Sequence, residues 1–187
     1  MIVHLPWVPN IAIEFIDKVV MPDIKARCQY HERTPKIFEW GMGGSTLYFN
    51  RNYHLRTWAG LIGYIASIEH DPKWFDDVNR EILGQRDTRL IPLGPDYPDQ
   101  ILRYPDSIFD LVMVDGRMRV ECLKTAKPKI TERGWLILDN SDRERYKEGI
   151  ALYADWDCVT FFGHGRDSDI PWECKIWQKG PYYGPKS

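Results

Sequence analysis

The sequence predicts an α/β fold: a doubly wound, mostly parallel seven-stranded sheet with helices on both faces and a C-terminal antiparallel hairpin. Three observations predict it. Short runs such as Lys36-Ile-Phe-Glu-Trp40 and Tyr64-Ile-Ala-Ser-Ile-Glu69 are apolar nearly throughout, as strands buried on both faces of a parallel sheet must be. Helical stretches separate the early runs, the alternation that builds such a sheet. Several runs also end in a carboxylate, next to a turn.

Taken in order, residues 10–28 form an amphipathic helix, with Ile13, Ile16, Val20 and Ile24 near helical spacing and Pro22 spoiling its second half. The strand 36–40 meets the tight turn Gly41-Met-Gly-Gly44, after which Ser45 and Thr46 cap a helix running past Phe49. The strand 64–69 precedes Asp71-Pro72, a cap and first-turn proline for a helix reaching Leu83. Strands follow at 88–93 and 107–114, a helix at 117–130, and a strand at 134–138 ending in Asp139-Asn140. A helix begins near Ser141, where Asn140, Ser141 or Asp142 can act as its cap. Strands at 158–162 and 173–178 are joined without a helix and form the edge hairpin.

The 187 residues suit one domain: an N-terminal helical cap over 1–35, a core over 36–178 and a tail over 179–187. No run approaches ~20 apolar residues, so no membrane span is expected. A formal charge of −2 gives no global basic field for nucleic acid. Cys28, Cys122, Cys158 and Cys174 are scattered singly, and the last three sit among apolar neighbours. They read as reduced core thiols of a cytoplasmic protein. The abundant aromatics and the short cap fit a homodimer.

Ligands of open α/β sheets bind beyond the carboxyl ends of the strands. Those ends carry Glu39 with the glycine turn, Glu69, Asp115 and Asp139-Asn140. Charges there need partners, so packing alone does not account for them. Gly41-x-Gly43-x-x-Thr46 approaches a dinucleotide fingerprint but lacks the third glycine, and Glu69 lies 28 residues after Gly41 (69 − 41), not about 20. Glu39 just before the turn suits a cofactor with a cationic amine better than a pyrophosphate.

The stretches Phe38-Glu-Trp-Gly-Met-Gly-Gly-Ser-Thr46, Ile68-Glu-His-Asp71 and Val114-Asp-Gly116 resemble the successive motifs of the Rossmann-like S-adenosylmethionine-dependent methyltransferases. The resemblance spans about residues 36–178. It implies that Gly41 and Gly43 let the backbone approach S-adenosylmethionine, with Glu39 near its methionine part and Ser45 among the cofactor-binding residues. Glu69 would then accept from the ribose hydroxyls, His70 would flank the adenine, and Asp115 would border cofactor and acceptor. Val114-Asp115 with Leu138-Asp139-Asn140 is similar to the metal positions of catechol and caffeoyl-coenzyme A O-methyltransferases, which implies Mg²⁺ on Asp115, Asp139 and Asn140. One departure matters: Met118 stands where the catechol enzymes carry a basic lysine. A cap role for Asn140 and a metal-free Asp115 remain open at this stage.

Among the basic residues, Arg117 and Arg143 stand closest to the strand ends and are candidates for acceptor contact, while Arg119, Arg145 and Lys147 read as a solvated helix face with Glu121, Glu144 and Glu148. His164, in the loop joining the last two strands, is the candidate base if no metal serves. The expected reaction is methyl transfer to an oxygen of a small molecule or glycan. The alternatives are methylation of RNA or protein, a nicotinamide-dependent oxidoreductase, and a non-catalytic binding module.

Overall fold

The computed structural model describes residues 4–53, 64–82, 87–166 and 168–180. Seven strands form one sheet: β1 (Lys36–Trp40), β2 (Tyr64–Glu69), β3 (Asp87–Leu90), β4 (Phe109–Val114), β5 (Ile130–Asp139), β6 (Asp157–Gly163) and β7 (Trp172–Gln178), in the order β3-β2-β1-β4-β5-β7-β6. The pairs from β3 to β5 are parallel. β7 runs antiparallel between β5 and β6, so the expected hairpin is present with its second strand innermost.

Helices cover both faces. Ile37, Leu111, Met113, Trp135 and Ile137 pack with Ile16, Val20 and Ile24 from the N-terminal helices and with Phe49 of α3 (Gly44–Tyr53). On the other face Phe38, Trp40, Val112, Val114, Leu136 and Leu138 pack with Tyr97 of α5 (Asp96–Asp99), with Cys122, Leu123 and Ala126 of α6 (Arg119–Ala126) and with Tyr153 after α7 (Lys147–Ala151). Because strand side chains alternate, the residues on the N-terminal face of β1 and β2 end in Glu39, Ser67 and Glu69. Ser67 stands beside Glu39 in the register.

Several boundaries differ from the sequence reading, each for a local reason. Pro22 does not break the first helix, which continues from α1 (Asn10–Phe15) through a π segment (Ile16–Val20) into α2 (Met21–Tyr30). The Met21 amide reaches back five residues to Ile16 O, and Pro22 falls in the first turn after this switch, where its missing N–H costs little. β3 stops early: Ile91 N still donates to Glu69 O (2.8 Å), but Pro92 has no N–H to continue the ladder. β4 begins at Phe109 because Ser107 adopts φ +50° and its amide turns to Pro128 O. α6 begins at Arg119, not 117, because Met118 lies in the left-handed region (φ +50°). Ser141 and Asp142 are not helix caps: both face β7, with Ser141 Oγ donating to Glu173 Oε1 (2.8 Å) and Asp142 accepting from Glu173 N (3.5 Å). The helix then starts with a 3₁₀ turn at Glu144–Tyr146. Asp71 caps α4 (Pro72–Asn79) as expected, accepting from Trp74 N (2.8 Å); Leu83 lies outside the described residues. Cys158 is exposed, not core, because β6 is the edge strand. Among the described residues no helix is long and apolar enough to cross a membrane.

Candidate functional site

Two strand-end loops meet backbone to backbone at the centre of the sheet. Gly41 (φ +91°) donates to Ile68 O (2.9 Å), and a Cβ placed on it would lie 2.5 Å from Gly116 N. A Cβ on Gly116 would meet the Tyr97 hydroxyl at 2.2 Å. Only glycine satisfies both demands at Gly41, the backbone angle and the contact. Gly43 differs: a Cβ there would make ordinary contact with the Trp74 indole at 3.6 Å, and Trp74 Nε1 donates to Met42 O.

Glu39 is fully buried. Its carboxylate accepts from the hydroxyls of Ser45 and Thr46, in the first turn of α3, and from Ser67 Oγ at 3.1 Å. Thr46 Oγ1 also accepts from Gly43 N (2.9 Å). Burial pushes the Glu39 carboxyl up to about 7, against the pull of the three hydroxyls. Ser45 and Glu39 thus bind each other and shape the turn from within.

Glu69 is nearly buried at the end of β2. Its Oε1 accepts from the amides of His70 (2.7 Å) and Asp71 (2.8 Å) and lies 2.7 Å from His70 Nδ1. All of these contacts fall on one oxygen, and Oε2 takes none of them. The His70 ring stands edge-on to Tyr97, 6.2 Å between centroids.

Asp115 and Asp139 come together at the ends of β4 and β5, as their sequence positions predict. Asp115 N donates to Trp40 O (2.9 Å), which prolongs the β1–β4 ladder. One guanidinium, that of Arg119, faces both carboxyls, 2.8 Å from Asp115 Oδ1 and 3.8 Å from Asp139 Oδ2. Burial, then the Asp139 charge, holds Asp115 well above the usual carboxylate range. Burial also raises Asp139, while Arg119, the Trp172 indole and the Asn140 amide pull it back. Asn140, next to Asp139, adopts φ +49°.

Arg119 corrects the sequence reading. It is 6% exposed rather than solvated, and its partners are Asp115 and Asp139, not Glu121. Side chains at a helix start lean back toward the N-terminus, so the first residue of α6 points at the strand ends. Nε donates to Gly116 O (2.9 Å), Nη2 to Asp115 O and Oδ1 (both 2.8 Å), and Nη1 to Asp139 O. Tyr146 lies against the guanidinium, 5.5 Å from ring centroid to Cζ. Trp172, also missed, donates from Nε1 to Asp139 Oδ1 at 2.6 Å and packs on Gly165. A lone tryptophan after the loop proline Pro171 was its only sequence signal.

Arg117 and Arg143 are exposed at the same sheet end. Lys147 pairs with Glu144 on the surface (2.7 Å), as expected, and Arg145 donates to the Tyr146 hydroxyl (3.2 Å). His164 is exposed; its carbonyl accepts from Asn10 N (2.9 Å), which ties the hairpin loop to α1, and its ring faces Ser168 O. No described hydrogen bond links His164 to Asp115 or Arg117. Asp167 of that loop lies outside the described residues. Among the described residues, no group of three or more His, Cys, Asp or Glu side chains is arranged to hold a metal ion.

No family model matches the chain, and no curated protein matches it. Solved structures do. A Staphylococcus aureus protein assigned as a caffeoyl-CoA O-methyltransferase aligns over 91% of this chain and 91% of its own, at 12% identity and TM-score 0.52. A Klebsiella pneumoniae protein assigned as an O-methyltransferase aligns over 84% of this chain and 79% of its own, at 14% identity and TM-score 0.55. The methyltransferase CalH, solved with SAH, aligns over 85% of this chain and 55% of its own, at 13% identity and TM-score 0.53. The chain carries the Rossmann-like α/β fold of the class I S-adenosylmethionine-dependent methyltransferases.

Proposed function

We propose that this protein is an S-adenosylmethionine-dependent methyltransferase of the cytoplasm, acting on an oxygen of a small molecule or glycan. The observation that carries the reading is Glu69: a carboxylate at the end of β2 whose Oε1 is spent on the following turn and whose Oε2 is left for a ligand. An oxygen so placed suits the vicinal hydroxyls of a ribose. The fold, shared with a protein assigned as an O-methyltransferase and with a methyltransferase solved with SAH, supports the same cofactor.

S-adenosylmethionine, when bound, supplies a methyl group on a sulfonium, open to in-line attack. The chain's own part is positioning. Gly41 and Gly116 keep side chains away from the junction of the two loops, which leaves room for close backbone approach. Glu39, bound by three hydroxyls, holds the start of α3 against β2. Asp115 borders the junction, and burial beside Asp139 shifts its carboxyl toward the protonated form. Arg117 and Arg143 offer exposed guanidiniums for an anionic group on the acceptor.

Calorimetric titration with S-adenosylmethionine, its demethylated product and NAD tests the proposal. Binding of the first two and not the third is expected. Glu69→Ala should weaken it about tenfold or more, the worth of a hydrogen bond to a charged group. NAD binding without S-adenosylmethionine binding would sink the reading and restore the dinucleotide alternative.

A further inference from the structure

Oxygen methylation at paired strand-end aspartates invites a divalent cation, and the sequence offered Asp115, Asp139 and Asn140 to hold one. The side chains do not fit that ion. Mg²⁺ needs a near-octahedral shell of oxygens and Ca²⁺ a larger one, yet most of the oxygens that Asp115 and Asp139 present are already taken. Asp115 Oδ1 and O receive Arg119 Nη2, Gly116 O receives Nε, and Asp139 O receives Nη1. Arg119 Nη1 also stands 3.8 Å from Asp139 Oδ2. The remaining Asp139 oxygen, Oδ1, receives Trp172 Nε1. A divalent ion would have to displace a guanidinium or sit beside it at contact distance, where the repulsion between cations is strong in a buried setting.

We infer that Arg119 is the cation of this site: it stands where a divalent metal would be held and makes the strand-end aspartates a metal-free pair. The inference rests on the proposed methyl transfer and deepens it. An acceptor bound here need not carry the two adjacent oxygens that chelate a metal, so a single hydroxyl suffices. Arg119 touches protein groups only and is a positioning residue. One guanidinium ties the end of β4 to the end of β5 and fixes Gly116, against which Gly41 packs. Four donated hydrogen bonds, 6% exposure and the Tyr146 ring against it keep that guanidinium in place.

The test is a Mn²⁺ titration read by electron paramagnetic resonance, with no S-adenosylmethionine present. Wild-type protein should show no saturable site at millimolar Mn²⁺. Arg119→Met should gain one site per chain, lost again on adding Asp139→Asn, because only then do the carboxylates lack a counter-ion. Arg119→Lys keeps a cation and should behave as wild type. A stoichiometric site in the wild type that Asp139→Asn removes would overturn the inference, as would a folded Arg119→Met that binds no Mn²⁺. Should Arg119→Met fail to fold, Arg119→Lys decides: no Mn²⁺ site upholds the inference and a stoichiometric one overturns it. The readout does not depend on the proposed function, since failure to bind S-adenosylmethionine in calorimetry would leave the Mn²⁺ result intact.

Discussion

Strand β4 has an aspartate near each end, and the two are treated in opposite ways. Asp110, at the amino end, is fully buried and saturated with donors. Arg33 binds both oxygens (2.7 and 2.6 Å), Arg27 reaches Oδ1 (3.4 Å), and Lys36 N and Cys28 Sγ reach Oδ2 (3.1 and 3.6 Å). Its donors come from α2, from the segment after it and from β1, so it clamps the N-terminal helices to the sheet. Asp115, just past the carboxyl end, shares its counter-ion with Asp139 and is surrounded by backbone in uncommon conformations at Gly41, Met118 and Asn140. One end of the strand spends its charge on stability. The other divides one guanidinium between two acids at the ligand-binding end of the sheet, which is how functional sites commonly depart from the rules of packing.

The largest effect should come from the saturated end. Asp110→Ala leaves two guanidiniums facing a cavity, and breaking such a buried pair costs about 3–5 kcal/mol. Arg33 can rehydrate, since its side chain is about a third exposed, so the lower part of that range is expected. Urea unfolding measures it. The comparison breaks if stability is unchanged, because Asp110 would then be no clamp.

The contrast also explains what the sequence could and could not reveal. Glu39, Glu69, Asp115 and Asp139 were legible because a residue at the end of an apolar run sits at the end of a strand whatever the partners are. The sheet was legible for the same reason: runs such as Phe109–Val114 leave little choice but burial on both faces. The partners were not legible. Arg119 sits among charges that look solvated, and only the left-handed Met118 turns it inward. Trp172 reaches Asp139 because β7 inserts beside β5, a pairing across more than thirty residues. Ser67 lies hidden in an apolar strand, and its meaning depends on the register that sets it next to Glu39. Arg33 likewise meets Asp110 only through the fold.

The second effect concerns pH at the ligand-binding end. The Glu39 carboxyl stands at about 7 in the folded chain against 4.5 for an ordinary glutamate. The folded state therefore binds more protons than the unfolded state between those values. Stability falls as pH rises through that window, by about 3 kcal/mol for a shift of this size. Glu39→Gln keeps a partner for all three hydroxyls and has no proton to lose. It should flatten the profile, matching wild type near pH 5 and exceeding it at pH 8 in urea unfolding. A wild-type profile that is flat or rises over this range would show that Glu39 is charged and well solvated by its hydroxyls, more like Asp110 than the comparison allows.

The smallest effect sharpens the account of Asp139. Trp172 Nε1 donates to its carboxylate, and Arg119 Nη1 forms an ion pair with it at 3.8 Å; a hydrogen bond to a charged group is worth about 1.5–3 kcal/mol. Trp172→Phe keeps a ring against Gly165 but removes the N–H. The bond favours the ionised carboxylate, so its loss should raise Asp139 further above its usual range. The cost should be greater at high pH than at low pH, where protonation relieves the need for a donor. A cost equal at both pH values would mean that Trp172 acts through its ring and not its N–H. Asp139 would then depend on Arg119 alone among side chains, and the disparity between the two ends of the sheet would be wider than the geometry already makes it.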